Sequence, residues 1–398
     1  MINSEILLGL PGYQMTGIEW KCGEVRISAR HAGPISCPHC GAAKLRDKGR
    51  YTRRVRHENW GLRPCVIELA GRKLRCLACG HHFRQRFPGI QPCQRASEAY
   101  QKMIFRDHLD GINRSRLGRR EAIGAATVER YFWRGLKRQF GEWHPPRCPQ
   151  ILGIDEHFFT RRKGYATTLC DLQNHKIYDV VLGRSELSLQ AYFQRLEGKT
   201  EVQVVCMDLA SHYRALVRLH FPKARIVADR FHVIRIINHH FLAGWRELDS
   251  VGSRNRGLLS LMRRHRHNLS PTQQAKLTAY LLAHPVLEAI YRFKQRLCYL
   301  LLKKHRTHKQ CQQLIPRFLR AVYQLRQAGL AQLVQLGQTL AAWSEEIVAM
   351  WRFTRNNGIT EGFHNKMELI SRQAYGFRNF ENYRLRVKVL CSVAPGNW

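Results

Sequence analysis

Ile151-Leu-Gly-Ile-Asp-Glu-His-Phe-Phe159 is an apolar run broken by two acids. Apolar residues leading into a carboxylate predict a buried strand whose far end carries Asp155 to a cleft. A second copy follows in Val202-Gln-Val-Val-Cys-Met-Asp208. One strand-end Asp serves equally well as a turn cap. Two of them in a chain so poor in acid point to carboxylates kept for chemistry. Glu156, beside Asp155, falls on the opposite strand face and reads as structural.

Working outward, residues 165–172 and 176–182 alternate like strands joined by a polar turn, so the Asp155 strand gains antiparallel neighbours. Ser185 opens a helix reaching Leu196, which Gly198 ends. The Asp208 strand, a helix over 211–221 and the strand Ala224-Arg-Ile-Val-Ala-Asp229 complete the order of a ribonuclease H-like core. In that fold the first and fourth strands are neighbours, so Asp155 and Asp208 meet at adjoining strand ends. From 250 to 344 the pattern is helical and basic, with Glu288 the one acid. Such an insertion fits a phosphate backbone, or equally a dimerisation arm.

A third carboxylate comes from elimination. After Asp249 the acids are Glu288, Glu345, Glu346, Glu361, Glu368 and Glu381. Glu361 follows an Asn356-Asn-Gly turn and a capping Thr360, in the first turn of a helix. Alone it reads as a capping carboxylate; beside two aspartates awaiting a ligand it reads as the third. Three carboxylates in a basic protein can hold two Mg²⁺ or Mn²⁺ ions for phosphoryl transfer.

The balance of 66 Lys and Arg against 29 Asp and Glu gives a net charge of +37. That field calls for a polyanion, nucleic acid first, while 44% hydrophobic content excludes a disordered polyelectrolyte. With no apolar run long enough to span a bilayer and no signal-peptide pattern, the reading is soluble and cytoplasmic. The thirteen cysteines, odd in number, read as reduced thiols rather than a disulfide scaffold.

Before the core, residues 13–31 fit a hairpin. Cys37-Pro-His-Cys40 and Cys76-Leu-Ala-Cys79 then form two knuckles, each followed by Gly, the arrangement of a zinc ribbon with a structural Zn²⁺. Cys22, Cys65, His39, His81 and His82 are second-choice ligands. A helix ending near Leu109, a short helix through Leu117, a break at Ile123-Gly-Ala and a Thr127-capped helix predict a helix-turn-helix with 128–138 as recognition helix. Arg119, Arg120, Arg130, Arg134, Lys137 and Arg138 are its candidate DNA contacts. Pro145, Pro146 and Pro149 mark a linker.

The ribbon cysteines, the helix-turn-helix, Gly153-Ile-Asp155-Glu, Met207-Asp208, Ala228-Asp-Arg-Phe-His-Val233, Thr360-Glu-Gly-Phe-His-Asn-Lys366 and Tyr375-Gly-Phe-Arg-Asn-Phe380 carry a resemblance. Over nearly its whole length the chain resembles the ISL-three family of DDE-type insertion-sequence transposases. The resemblance implies Asp155, Asp208 and Glu361 as the metal-binding triad, with the helical segment inserted before the Glu. It implies a supporting role for Asp229 and His232, in a D-x2-H signature that organises the active site or the DNA near the cleavage point. Arg230 would contact phosphate or pair with a carboxylate. The implied partners are double-stranded DNA, as terminal inverted repeats and target, and a second copy of the chain. A structure-specific nuclease on the same fold, or a non-catalytic DNA-binding regulator derived from a transposase, are the alternatives.

The expected fold class is therefore multidomain α/β: a zinc ribbon over 1–95, a helix-turn-helix over 96–147, a ribonuclease H-like core over 148–249, a helical insertion over 250–344, and the rest of the core, with Glu361, over 345–398.

Overall fold

The computed structural model describes residues 8–141, 147–353 and 358–392. They fall into two compact units divided near residue 144, with Arg372–Gly376 grouped with the first. The expected linker residues Pro145 and Pro146 and the Asn356-Asn turn lie outside the described residues.

The first unit opens with a sheet of β1 (Tyr13–Lys21), β2 (Glu24–His31), β3 (Leu45–Trp60), β4 (Arg63–Cys76) and β5 (His82–Arg84), ordered β1-β2-β4-β3 with β5 on β4. Alternation gives β2, β3 and β4 a buried face, with Ile27, Val55, Ile67 and Leu69 packed with Tyr13 and Phe87. The long β3–β4 hairpin pairs Leu45 with Cys76, so the knuckle before β3 meets the knuckle after β4.

Helices α1 (Glu98–Leu109), α2 (Arg114–Glu121) and α3 (Ala125–Gly141) follow. Ser97 and Asn113 cap the first two, accepting from the amides of Tyr100 and Arg116. The α2–α3 turn needs Ala122 in the left-handed region (φ 53°) and no side chain at Gly118, where a Cβ would stand 2.8 Å from the Ile123 carbonyl oxygen. Thr127 is not the cap of α3. The Gly124 carbonyl accepts from the amides of Thr127 and Val128, so the helix starts a turn earlier, and Thr127 Oγ1 accepts from Arg130 instead. The sheet is in direct contact with the helices: Arg56 of β3 pairs with buried Glu121, and His57 Nδ1 meets Ser97 Oγ at 2.8 Å.

The second unit is built on β6 (Ile151–Thr160), β7 (Gly164–Asp171), β8 (Lys176–Leu182), β9 (Val204–Met207) and β10 (Arg225–Ala228), ordered β10-β9-β6-β7-β8. The β6-β7-β8 part is antiparallel, and β9 and β10 add in parallel. Helices α4 (Glu186–Gln194) and α5 (Ser211–His220) join these strands and α6 (Arg230–Leu248) follows β10, then come α7 (Arg256–Arg263), α8 (Pro271–Leu282), α9 (Pro285–Leu301), α10 (His308–Arg326), α11 (Ala331–Ala342), α12 (Ser344–Ala349), α13 (Gly358–Gln373) and α14 (Phe380–Ser392). Ser185 caps α4 as expected, but that helix stops at Gln194.

Each face of the sheet has its own apolar layer. One packs Leu152, Ile154, Val205 and Met207 against α4–α6 and also against Leu297, Phe318, Leu336, Trp343 and Trp351. The helical stretch after Asp249 is thus part of the main core, with a distal subcore around Trp245, Met262 and Tyr291. The other face sets Phe159, Ala166, Cys170 and Val180 against Met367 and Ile370 of α13 and Phe380, Tyr383 and Val387 of α14.

Candidate active site

Asp155 does not end its strand: β6 runs on to Thr160, and Asp155 pairs with Thr168 of β7. It sits where the parallel neighbours stop. Ile154 aligns with Met207, and Met207 with Ala228, so the next residue on each strand is Asp155, Asp208 and Asp229 in one row. Packing at the sheet centre thereby sets three carboxylates side by side.

Such a row is costly without a counter-charge. His232, one turn into α6, supplies one: its Nδ1 lies against Asp208 Oδ1 and 2.8 Å from Asp229 Oδ2. Burial acts to lower the His232 pKa, but bonds to these two carboxylates outweigh it and carry the ring to about 9. Burial, and then the neighbouring Asp208, push Asp155 up to about 7. Burial also raises Asp208, against the pull of His232.

Helix α13 closes the site from the side. His364 Nδ1 stands 3.8 Å from Asp155 Oδ2, and its Nε2 bonds Thr168 Oγ1 at 3.0 Å. Thr168 Oγ1 also meets His157 Nδ1, whose Nε2 meets the Tyr383 hydroxyl of α14 at 2.9 Å. Burial, followed by the neighbouring imidazole, holds His157 down at about 3; burial, followed by His232, holds His364 at about 4. Both rings are neutral at physiological pH. The sequence reading missed this relay, whose one visible signal was His364 three residues after Glu361.

Among the described residues, ligand atoms of Asp155, Asp208 and His232 all lie within 4.8 Å of one another. Glu361 is not in that group. It sits exposed in the first turn of α13, one turn before His364. Thr360 lies inside the helix, buried, rather than capping it. Arg230 does something other than expected: it is buried and donates to the carbonyls of Leu301, Lys303 and Met350. Among the described residues its guanidinium pairs with no carboxylate, and these three carbonyls take up its donors. Glu156 takes the structural part expected, pairing with Arg184 at 3.1 Å.

The donors suit a hard divalent cation. Buried Asp155 and half-buried Asp208, both with raised pKa values, offer oxygen ligands, and Asp229 Oδ1 is buried with no hydrogen-bond partner among the described residues. The other cluster is sulfur. Cys37 Sγ lies 3.7 Å from Cys79 Sγ and Cys40 Sγ 3.5 Å from Cys76 Sγ. Four sulfurs each about 2.3 Å from a zinc ion stand about 3.8 Å apart, so the cluster fits Zn²⁺. The glycines do what the knuckle requires: Gly41 and Gly80 adopt φ of 74° and 76° and donate back to Cys37 and Cys76. Amides of Cys79 and Ala78 hold the Cys76 thiol down at about 6 against the effect of burial. None of the second-choice ligands joins this cluster among the described residues.

Arg119, Arg120, Arg130, Arg134, Lys137 and Arg138 are all exposed. Three are engaged within the unit, Arg120 with Asp107 and Glu121, Arg130 with Thr127 and Arg134 with Gln101.

Comparison with known proteins finds matches over both clusters. A family model of DDE-type transposases of the ISL3 group, described as "Transposase", matches residues 152–387. A model described as the zinc-finger of transposase IS204/IS1001/IS1096/IS1165 matches residues 33–79. The transposase for insertion sequence element IS1001 of Bordetella parapertussis is 26% identical over 414 residues, covering 99% of this chain and 98% of that protein. Aspartates brought into one row, a four-cysteine ribbon and these matches together place the chain in the ISL3 family of DDE-type transposases.

Proposed function

We propose that this transposase binds the terminal inverted repeats of an insertion sequence and performs metal-dependent DNA cleavage and strand transfer. The observation that carries the reading is the row of Asp155, Asp208 and Asp229 on adjacent strands, with His232 bridging two of them. Its strand order, with antiparallel β6-β7-β8 extended by parallel β9 and β10, supports a ribonuclease H-like core. Helices α1–α3, with the tight turn before α3, support a helix-turn-helix whose basic third helix reads DNA.

Asp155 and Asp208 would hold the cations, and Glu361, displayed one helical turn from His364, would complete the set. Divalent ions held there would supply charge stabilisation for an in-line phosphoryl displacement. The protein's part is placement. Pairing with Thr168 on one side, and of the preceding Ile154 with Met207 on the other, fixes Asp155, and His232 offsets surplus negative charge on Asp208 and Asp229. Neutral His364 and His157, tied through Thr168 and Tyr383, line the site without adding a cation that would compete with the metals.

In vitro cleavage and joining with Mg²⁺ and labelled element ends tests this. Asp155→Asn, Asp208→Asn and Glu361→Gln should each lose cleavage by roughly two orders of magnitude or more while keeping end binding. Unchanged cleavage in any one variant sinks that residue's assignment.

A further inference from the structure

Residues 250–344 contain sixteen Arg and Lys against Glu288 alone. Glu288 is already matched with Arg292 at 2.6 Å. The remaining charge is unevenly spent: Lys294, for example, is buried and donates to the carbonyls of Met262 and Arg263. A concentrated share faces two adjoining grooves beside α9 and α10, of about 700 and 380 Å³. The grooves share Tyr299, Lys303 and Arg317; Arg296 and Arg320 line one, and Lys304 and Arg306 the other. No carboxylate lines either, and among the described residues none pairs with these bases. In the wall between them Tyr299 is 69% exposed, with Lys303 Nζ 5.5 Å from its ring centre.

An aromatic ring set among unpaired cations in a concave groove matches one chemistry above others: a phosphate backbone with unpaired bases. Hydrophobic burial does not account for Tyr299, and a basic wall with no acid opposes packing against a second copy of the same wall. The bases of a paired duplex are stacked inside the helix and offer no face to Tyr299, whereas a strand with unpaired bases does. The grooves are also tied to the catalytic row. Arg230, which directly follows Asp229, donates to the carbonyls of Leu301 and Lys303 at the end of α9.

We propose that the α9–α10 grooves bind single-stranded DNA, Tyr299 stacking on a base while Arg296, Lys303, Arg317 and Arg320 hold its phosphates. This rests on the transposase reading above and assigns the helical segment a hold on the strand opened near the cleavage point.

Fluorescence anisotropy with the full-length protein tests it, using two probes of unrelated sequence: a fully paired duplex, and the same duplex with a single-stranded overhang. Tyr299→Ala should weaken overhang binding on the order of tenfold with duplex affinity unchanged, and Tyr299→Phe should retain it. Arg317→Gln with Arg320→Gln should lower the salt dependence of overhang binding alone. Equal losses on both probes, or none on the overhang, would overturn the proposal. So would a change in sedimentation behaviour with DNA binding intact, the mark of a dimer interface. Loss of overhang preference in Tyr299→Ala with end cleavage unaffected leaves the catalytic assignment standing; loss of cleavage in Asp155→Asn with overhang binding intact leaves the groove standing. The two readings fail separately.

Discussion

At the scale of single residues, Asp155 carries the most chemistry. Its pKa near 7 means that, without metal, the group carries no charge penalty when protonated. The penalty grows as pH rises from the ordinary carboxylate range through about 7, so this group makes the metal-free fold less stable on the alkaline side. His232 acts in the same direction by the opposite route: its stabilising charge is fully present below its ordinary value and is lost as pH rises through about 9. Cation binding must displace the Asp155 proton. Mg²⁺ affinity measured by calorimetry should therefore fall as pH drops below about 7, by up to about tenfold per unit, and flatten above it. A pH-independent affinity would contradict the assignment of Asp155 as a ligand. The sequence made Asp155 and Asp208 legible as paired acids because each closes an apolar run. It could not show that Asp155 lies mid-strand, since the residues after it are also strand formers. Nor could it show Arg230 turned onto carbonyls, because those acceptors come from segments about 70 and 120 residues away.

Among elements, one hairpin and one long-range ion pair hold the working surfaces. The β3–β4 hairpin brings both cysteine knuckles together, and Cys37→Ser should leave the protein with substoichiometric zinc by metal analysis and weakened DNA binding. Full zinc content would point to other ligands. On the sheet face that carries Asp155, α14 is anchored by a buried ion pair: Arg384 donates to both oxygens of Asp179, at 2.8 and 2.7 Å, with Lys388 nearby. Arg384→Ala should destabilise the fold by about 3 kcal/mol in urea unfolding, since it strips the main partner from a buried carboxylate that Lys388 covers only in part. A loss under about 1 kcal/mol would show that Lys388 suffices. The knuckles were readable from spacing alone. The ion pair was not, because nothing local connects Asp179 to a helix two hundred residues on.

For the whole molecule, charge and core architecture act together. The excess of 66 Lys and Arg over 29 acids makes DNA affinity steeply salt-dependent, and a log–log plot of affinity against salt should have a slope of several units. A flat plot would remove phosphate contacts as the main source of binding. The sequence outlined the strand–helix order of the catalytic unit correctly, because each element has its own apolar period. It read 250–344 as a separate insertion, yet Leu297, Phe318, Leu336 and Trp343 share one core with the sheet. Helical periodicity tells which face is apolar, but not which layer that face joins. Glu361 remains the least constrained of the three proposed ligands, exposed on α13 and outside the cluster formed by Asp155, Asp208 and His232. Its role is tested most directly by replacing Glu361 with Cys and assaying element-end cleavage in Mg²⁺ and in Mn²⁺. A thiolate binds the softer ion better, so the account predicts a variant inactive in Mg²⁺ and restored in Mn²⁺. Equal activity in both ions, or none in either alongside an active Glu361→Gln, would contradict it.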